Sequence, residues 1–152
     1  MSWIVANIRW VMIVSGALTA TTIHAAIAPG AALQSTFGET LSGPLANIVV
    51  RTWGALIALV GAMLIYGARV PAVRPMVLTV AGVSKAFFIV LVLAEGSRYL
   101  GGQAAIAVGI DLIMIALFAW YVLASRAAPA DLLPAEVGSH PATRLPPLPP
   151  PR

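Results

Sequence analysis

Five ionisable side chains interrupt stretches otherwise suited to an apolar surrounding: His24, Arg51, Lys85, Glu95 and Asp111. By type, their chemistry is ion pairing and proton movement. A Lys beside an Asp cancels its charge, an Arg locks onto a Glu, and His, Lys and Asp can all exchange protons. The chain has no Cys, which excludes disulfides, thiol redox chemistry and cysteine-ligated iron–sulfur clusters. Its imidazoles are His24 and His140, and His140 lies in a polar tail, which argues against a bis-histidine haem within one subunit. There is no G-x-S-x-G, no phosphate-binding glycine loop, no histidine pair at ligand spacing and no acidic metal cluster. The expectation is therefore no catalytic residue, no cofactor and no metal, although Lys85, Asp111 and His24 keep an intramembrane enzyme conceivable.

The elements that must position these residues follow from composition. Of 152 residues, 60% are hydrophobic and only 9% charged, and the mean hydropathy is +0.94. Such values lie outside those of soluble domains and imply an all-α, integral membrane four-helix bundle. A bilayer core about 30 Å thick takes roughly 20 residues of helix. Spans are expected at about Ile8 to Ala28, Asn47 to Ala68, Met76 to Glu95 and Ala104 to Ala124, within a membrane domain 1–126. Ala26 and Ala28 form an A-x-A pattern, so a cleaved signal peptide is the alternative for the first span. Its length exceeds a typical h-region of about 7 to 15 residues, and Pro29 would follow the cut, where it is unfavourable.

Lys and Arg set the orientation, because cytoplasmic flanks carry the excess of positive charge. Arg9 stands at the entry to the first span, Arg69 and Arg74 flank the second loop, and Arg126, Arg144 and Arg152 follow the fourth span. The opposite side has Arg98, with Arg51 just inside the second span, and the first loop, Pro29 to Ala46, contains Glu39 but no Lys or Arg. Both termini are expected in the cytoplasm. Trp3, Trp10, Tyr66, Trp120 and Tyr121 then fall at the inner interface and Trp53 and Tyr99 near the outer one, as aromatic belts do. The pI of about 10.4 reports this topology, and no nucleic-acid partner is expected.

A charge exposed to lipid costs about 2.5–3.5 kcal/mol even on lenient insertion scales, so intramembrane charges face the bundle interior. Small residues accompany each one: Gly16 and Ala20 precede His24 at helical spacing, Gly54, Ala55 and Ala58 follow Arg51, Ala81 and Gly82 precede Lys85, and Ala104 and Ala107 precede Asp111. Helices in membranes use such residues to approach closely. By depth, Lys85 starts near the midplane and reaches toward Asp111, while His24, Arg51 and Glu95 lie nearer the outer boundary. Lys85 is expected to pair with Asp111, and Arg51 with Glu95 or Glu39. Three readings of the cluster stand side by side: ion pairs that fix helix register, a polar pocket opening to the extracytoplasmic side, and contact with a partner subunit.

Leu33, Phe37 and Leu41 recur every four residues in the first loop, which predicts a short helix on the bilayer surface; the alternative is a lid over the polar cluster, with Phe37 and Glu39 as its residues. Residues 127–152 are Pro-rich and polar, a composition that predicts a disordered cytoplasmic tail. Its end, RLPPLPPPR, matches an SH3 ligand in both orientations, though a solvated tail with no specific partner is the favoured reading.

Arg9 and Gly16 in the first span, Phe37-Gly38 in the loop, the Arg51-Thr52-Trp53-Gly54 run and Tyr66-Gly67 before a short basic turn share an order with one group of proteins. In these features the chain, from Met1 to Ser125, resembles the small four-span bacterial membrane proteins of the DoxX-like group, especially its BphX-like members. The resemblance implies a four-helix bundle in a bacterial inner membrane. Some DoxX-like relatives are linked to membrane redox complexes, yet this chain supplies no Cys or cofactor motif of its own. The leading expectation is a multi-pass inner-membrane protein with an outward-facing polar cluster, acting as an accessory subunit. A small proton-linked transporter working as an oligomer is the alternative, and an oxidoreductase subunit a further one. The expected partners are the lipid bilayer and, within it, a second copy of the chain or a larger complex.

Overall fold

A computed structural model describes residues 3–126, with side chains from residue 7 onward. The expectations for the Pro-rich tail and its SH3-like end lie outside the described residues. Among the described residues six α-helices follow one another: α1 (Trp3–Ala20), α2 (Ile23–Ile27), α3 (Pro29–Phe37), α4 (Pro44–Arg69), α5 (Arg74–Ala94) and α6 (Gln103–Arg126), with a 3-10 turn at Pro71–Val73. No strand occurs among the described residues. Four stretches are long and apolar enough to cross a membrane: Asn7–Ile27, Pro44–Arg69, Pro71–Ala94 and Gln103–Arg126. The second begins earlier than the expected Asn47 because Pro44, whose missing N–H is harmless in a first turn, opens α4.

The first stretch is not one continuous helix. At Thr21 and Thr22 the backbone amides reach back three residues to the carbonyls of Leu18 and Thr19, both at 3.3 Å. The hydroxyls of the two threonines donate to the same carbonyls, at 2.6 and 2.7 Å. Side-chain bonding of this kind satisfies carbonyls that would otherwise take an amide one turn on, and it breaks the helix between α1 and α2.

The four long helices pack in a ring: α1 on α4, α4 on α5, α5 on α6, and α6 back onto α1. The tightest seam is glycine-built. A Cβ at Gly61 would stand 2.6 Å from the Ala20 amide nitrogen, and one at Gly54 would stand 2.8 Å from the Ala25 Cβ and the Ala26 nitrogen, so α4 touches backbone on both sides of the break. Ile8, Met12, Leu64, Leu78 and Phe118, from all four long helices, make the largest buried cluster. Above it the Ser15 hydroxyl donates to the Met114 sulfur at 2.9 Å and joins α1 to α6.

At the end that holds the α4–α5 turn, Arg74 donates to the carbonyls of Gly67 (3.1 Å) and Ala68 (3.0 Å) and so caps α4. At the opposite end α3 packs across α2, α4 and α6. Pro29 opens α3, and Gly38, in the left-handed region at φ 74°, closes it. Leu41 therefore lies beyond the helix, a correction to the expected Leu33, Phe37 and Leu41 stripe: the left-handed turn at Gly38 ends the helical register before Leu41 is reached.

Candidate functional site: an ion pair on the wall of a cavity

Lys85 reaches Asp111 because α5 and α6 run side by side, with the small residues Ala81 and Gly82 one turn before the lysine. Its Nζ pairs with Asp111 Oδ1, and the two side chains are only 9% and 16% exposed. Taking two charges out of water is costly, and their mutual attraction offsets that cost only in good geometry. Among the described residues Asp111 Oδ2 accepts no hydrogen bond and Lys85 donates to Asp111 alone.

The pair forms part of the wall of a cavity of about 430 Å³ to which Thr19, Thr36, Trp53 and Ser84 also contribute. The Thr19 hydroxyl is buried and has no hydrogen-bond partner. An orphaned buried hydroxyl costs about 1–3 kcal/mol. The walls on α4 and α5 are buried or half-buried, whereas on the α1 and α6 side Leu18 is 49%, Ile106 64% and Ile110 39% exposed. The mouth therefore lies along the α1–α6 seam.

A second cavity of about 360 Å³ sits beneath the end of α3, between Phe37, Val50, Leu91 and Tyr99, and Glu95 borders it. Trp53 and Phe88 border both spaces. The first loop is fastened over this end by two contacts. Phe37 meets Tyr99 edge-on, with ring centroids 5.4 Å apart and planes at 77°. The Glu39 Oε1 accepts from Arg98 Nε at 3.0 Å and Nη2 at 2.7 Å, and the Arg98 guanidinium also stands 5.4 Å from the Tyr99 ring centre. The hydrogen bond and charge of Glu39 push the Arg98 pKa above its ordinary range.

The residues singled out in the sequence thus fall into separate places. Lys85 and Asp111 come together at the cavity. Glu39 takes Arg98 as its partner, so the expected Arg51–Glu39 pair is corrected, and no Arg51–Glu95 pair forms either: Arg51 lies exposed on α4 and Glu95 exposed at the end of α5. The buried face of α4 is Val50, Gly54, Gly61 and Leu64, turned away from Arg51. His24 is exposed on α2, because the break at Thr21–Thr22 removes it from the face that Gly16 and Ala20 define. Phe37 and Thr36 carry α3 over both cavities, the placement of a cover. Thr19, Ser84 and Trp53 were not read from the sequence as site residues. Thr19 had one available signal, being a hydroxyl deep in an apolar span three residues from Gly16. Among the described residues no three His, Asp or Glu side chains gather as a metal site. Compared with protein-family models, curated protein sequences and solved structures, the chain finds no match in any of the three.

Proposed function

We propose that this chain is a multi-pass protein of a bacterial inner membrane, with both termini cytoplasmic, that binds a small molecule beside Lys85 and Asp111 as a non-catalytic component of a membrane assembly. The membrane reading is supported by four apolar stretches of sufficient length and by the gathering of Arg69, Arg74 and Arg126 at one end of the bundle. The likeness to DoxX-like proteins rests on short runs such as Arg51 to Gly54 and Tyr66-Gly67, and it supports the same setting. The observation that carries the ligand-binding reading is the Lys85–Asp111 ion pair on the wall of a cavity of about 430 Å³. A packed structural pair has no need of such a space, whereas ligand sites are concave, mostly apolar, and furnished with a few convergent polar groups.

The test is native mass spectrometry of the protein extracted from its membrane. A discrete bound mass in the wild type, lost in the Lys85→Met/Asp111→Leu double variant with helicity intact, supports the proposal. A wild type that carries nothing under conditions retaining lipids elsewhere on its surface refutes it.

Proton-linked transport is the second reading, and the two cavities in series behind Trp53 and Phe88 favour it. Solute flux in proteoliposomes that follows an imposed pH gradient and stops with Asp111→Asn is its signature.

A further inference from the structure

The geometry points to an uncharged amphiphile bearing a hydroxyl as the occupant of the larger cavity, entering sideways from the bilayer between α1 and α6. This deepens the ligand-binding reading above and rests on it.

Three observations carry the inference. First, the charges on the wall already cancel: Lys85 and Asp111 pair with each other. A ligand of net charge would bring an unbalanced charge into a poorly screened space, where it is disfavoured. Second, the open hydrogen-bonding capacity is of both kinds. Asp111 Oδ2 can accept, and the Lys85 ammonium, which donates to Asp111 alone, has N–H groups left to donate. A single hydroxyl group, which donates and accepts at once, answers both. Third, the mouth is mostly apolar and faces outward along the span. Leu18, Ile106 and Ile110 are exposed on its rim, with Thr21 and Gln103 as its polar members, and Ile106 and Ile110 lie one and two turns into α6 from Gln103. Asp111 is eight residues into α6, roughly 12 Å at 1.5 Å per residue, so the mouth runs from the start of α6, at Gln103, down to the depth of lipid chains, where the ion pair lies. An acyl tail projecting through such a rim stays among lipid tails while its hydroxyl reaches the pair.

The test uses Trp53, which borders the cavity, as the reporter. In full-length protein with Trp3, Trp10 and Trp120 replaced by Phe and reconstituted in nanodiscs, three brominated probes are compared: a monoacylglycerol, an ionised fatty acid and an alkylammonium. The monoacylglycerol is expected to quench Trp53 saturably and at least about tenfold more tightly than either charged probe, a difference of about 1.4 kcal/mol. Free glycerol is expected not to compete, which separates a membrane amphiphile from a soluble polyol. The natural absence of cysteine allows the rim to be blocked cleanly. A bulky maleimide on Ile106→Cys is expected to slow quenching, and the same adduct on Leu59→Cys, exposed on the far side of α4, is not. The Lys85→Met/Asp111→Leu double variant, which leaves no lone charge, is expected to stay folded and lose saturable quenching. Equal quenching by a charged probe overturns the neutral class of ligand, and indifference to the Ile106 block overturns lateral entry; in both cases the cavity remains a binding site. Failure of all three probes to quench saturably removes the ligand-binding reading itself.

Discussion

Gly61 lies against Gly16 so closely that a methyl group on either would stand 2.7 Å from the other's carbonyl oxygen. Backbone cannot move aside as a flexible side chain does. Gly61→Ala is therefore expected to destabilise the fold by about 1–3 kcal/mol, the usual range for overpacking. Gly109→Ala, with nothing within 4 Å of the new methyl, is expected to be neutral or stabilising. Thermal unfolding in detergent, followed by circular dichroism, makes the comparison. Equal midpoints for the two variants would mean that α1 and α4 stand further apart than described.

Lys85 and Asp111 are expected to depend on each other. Removing one partner leaves an uncompensated buried charge, so Lys85→Ala or Asp111→Ala is expected to cost about 3–5 kcal/mol. The Lys85→Met/Asp111→Leu double variant removes both charges and is expected to recover most of that loss. A double-mutant cycle on unfolding in detergent measures the coupling. Additive losses would show that the pair contributes nothing as a pair.

Thr19 gives a prediction of opposite sign. Its hydroxyl is buried without a partner, so Thr19→Val is expected to raise the stability of ligand-free protein, by up to about 1–3 kcal/mol. Thermal unfolding in detergent makes the measurement. A fall in stability would instead assign the hydroxyl a structural bond.

The Glu39–Arg98 contact is exposed on both sides and is expected to respond to salt. Glu39→Gln is expected to leave the unfolding midpoint nearly unchanged while speeding amide exchange around Gly38 to Gly43, and added salt is expected to shrink that difference. The pH sign follows from Arg98. Its pKa is raised in the folded state, so its contribution is complete below the unfolded value and is lost only as pH climbs through the still higher folded one. No weakening from Arg98 is expected across neutral and mildly alkaline conditions, which exchange measured at several pH values can check.

Hydropathy made the four apolar stretches readable, and depth along neighbouring spans made Lys85 and Asp111 the natural partners. Both signals are local: each depends only on counting residues along a helix. Reading failed where one side chain redirects the backbone or where two loops meet. Thr21 and Thr22 sit within an apolar run, and only their bonds to Leu18 and Thr19 reveal that the face carrying His24 has been turned outward. Glu39 and Arg98 belong to different loops, and nothing in their spacing announces the meeting that takes Glu39 away from Arg51. The cavity escaped for a related reason. It is defined by space left between α1, α4, α5 and α6, with Thr36 of α3 at its edge, and no linear pattern encodes an unfilled volume.

Arg74, by holding two carbonyls at the end of α4, gives the bundle an unequal stiffness from one end to the other. The α4–α5 hairpin is clamped at its basic turn like the base of a tuning fork. At the far end the fastening is of another kind: α3 packs on α2, α4 and α6, and the loop after it is tied by one ring contact and one solvent-exposed ion pair.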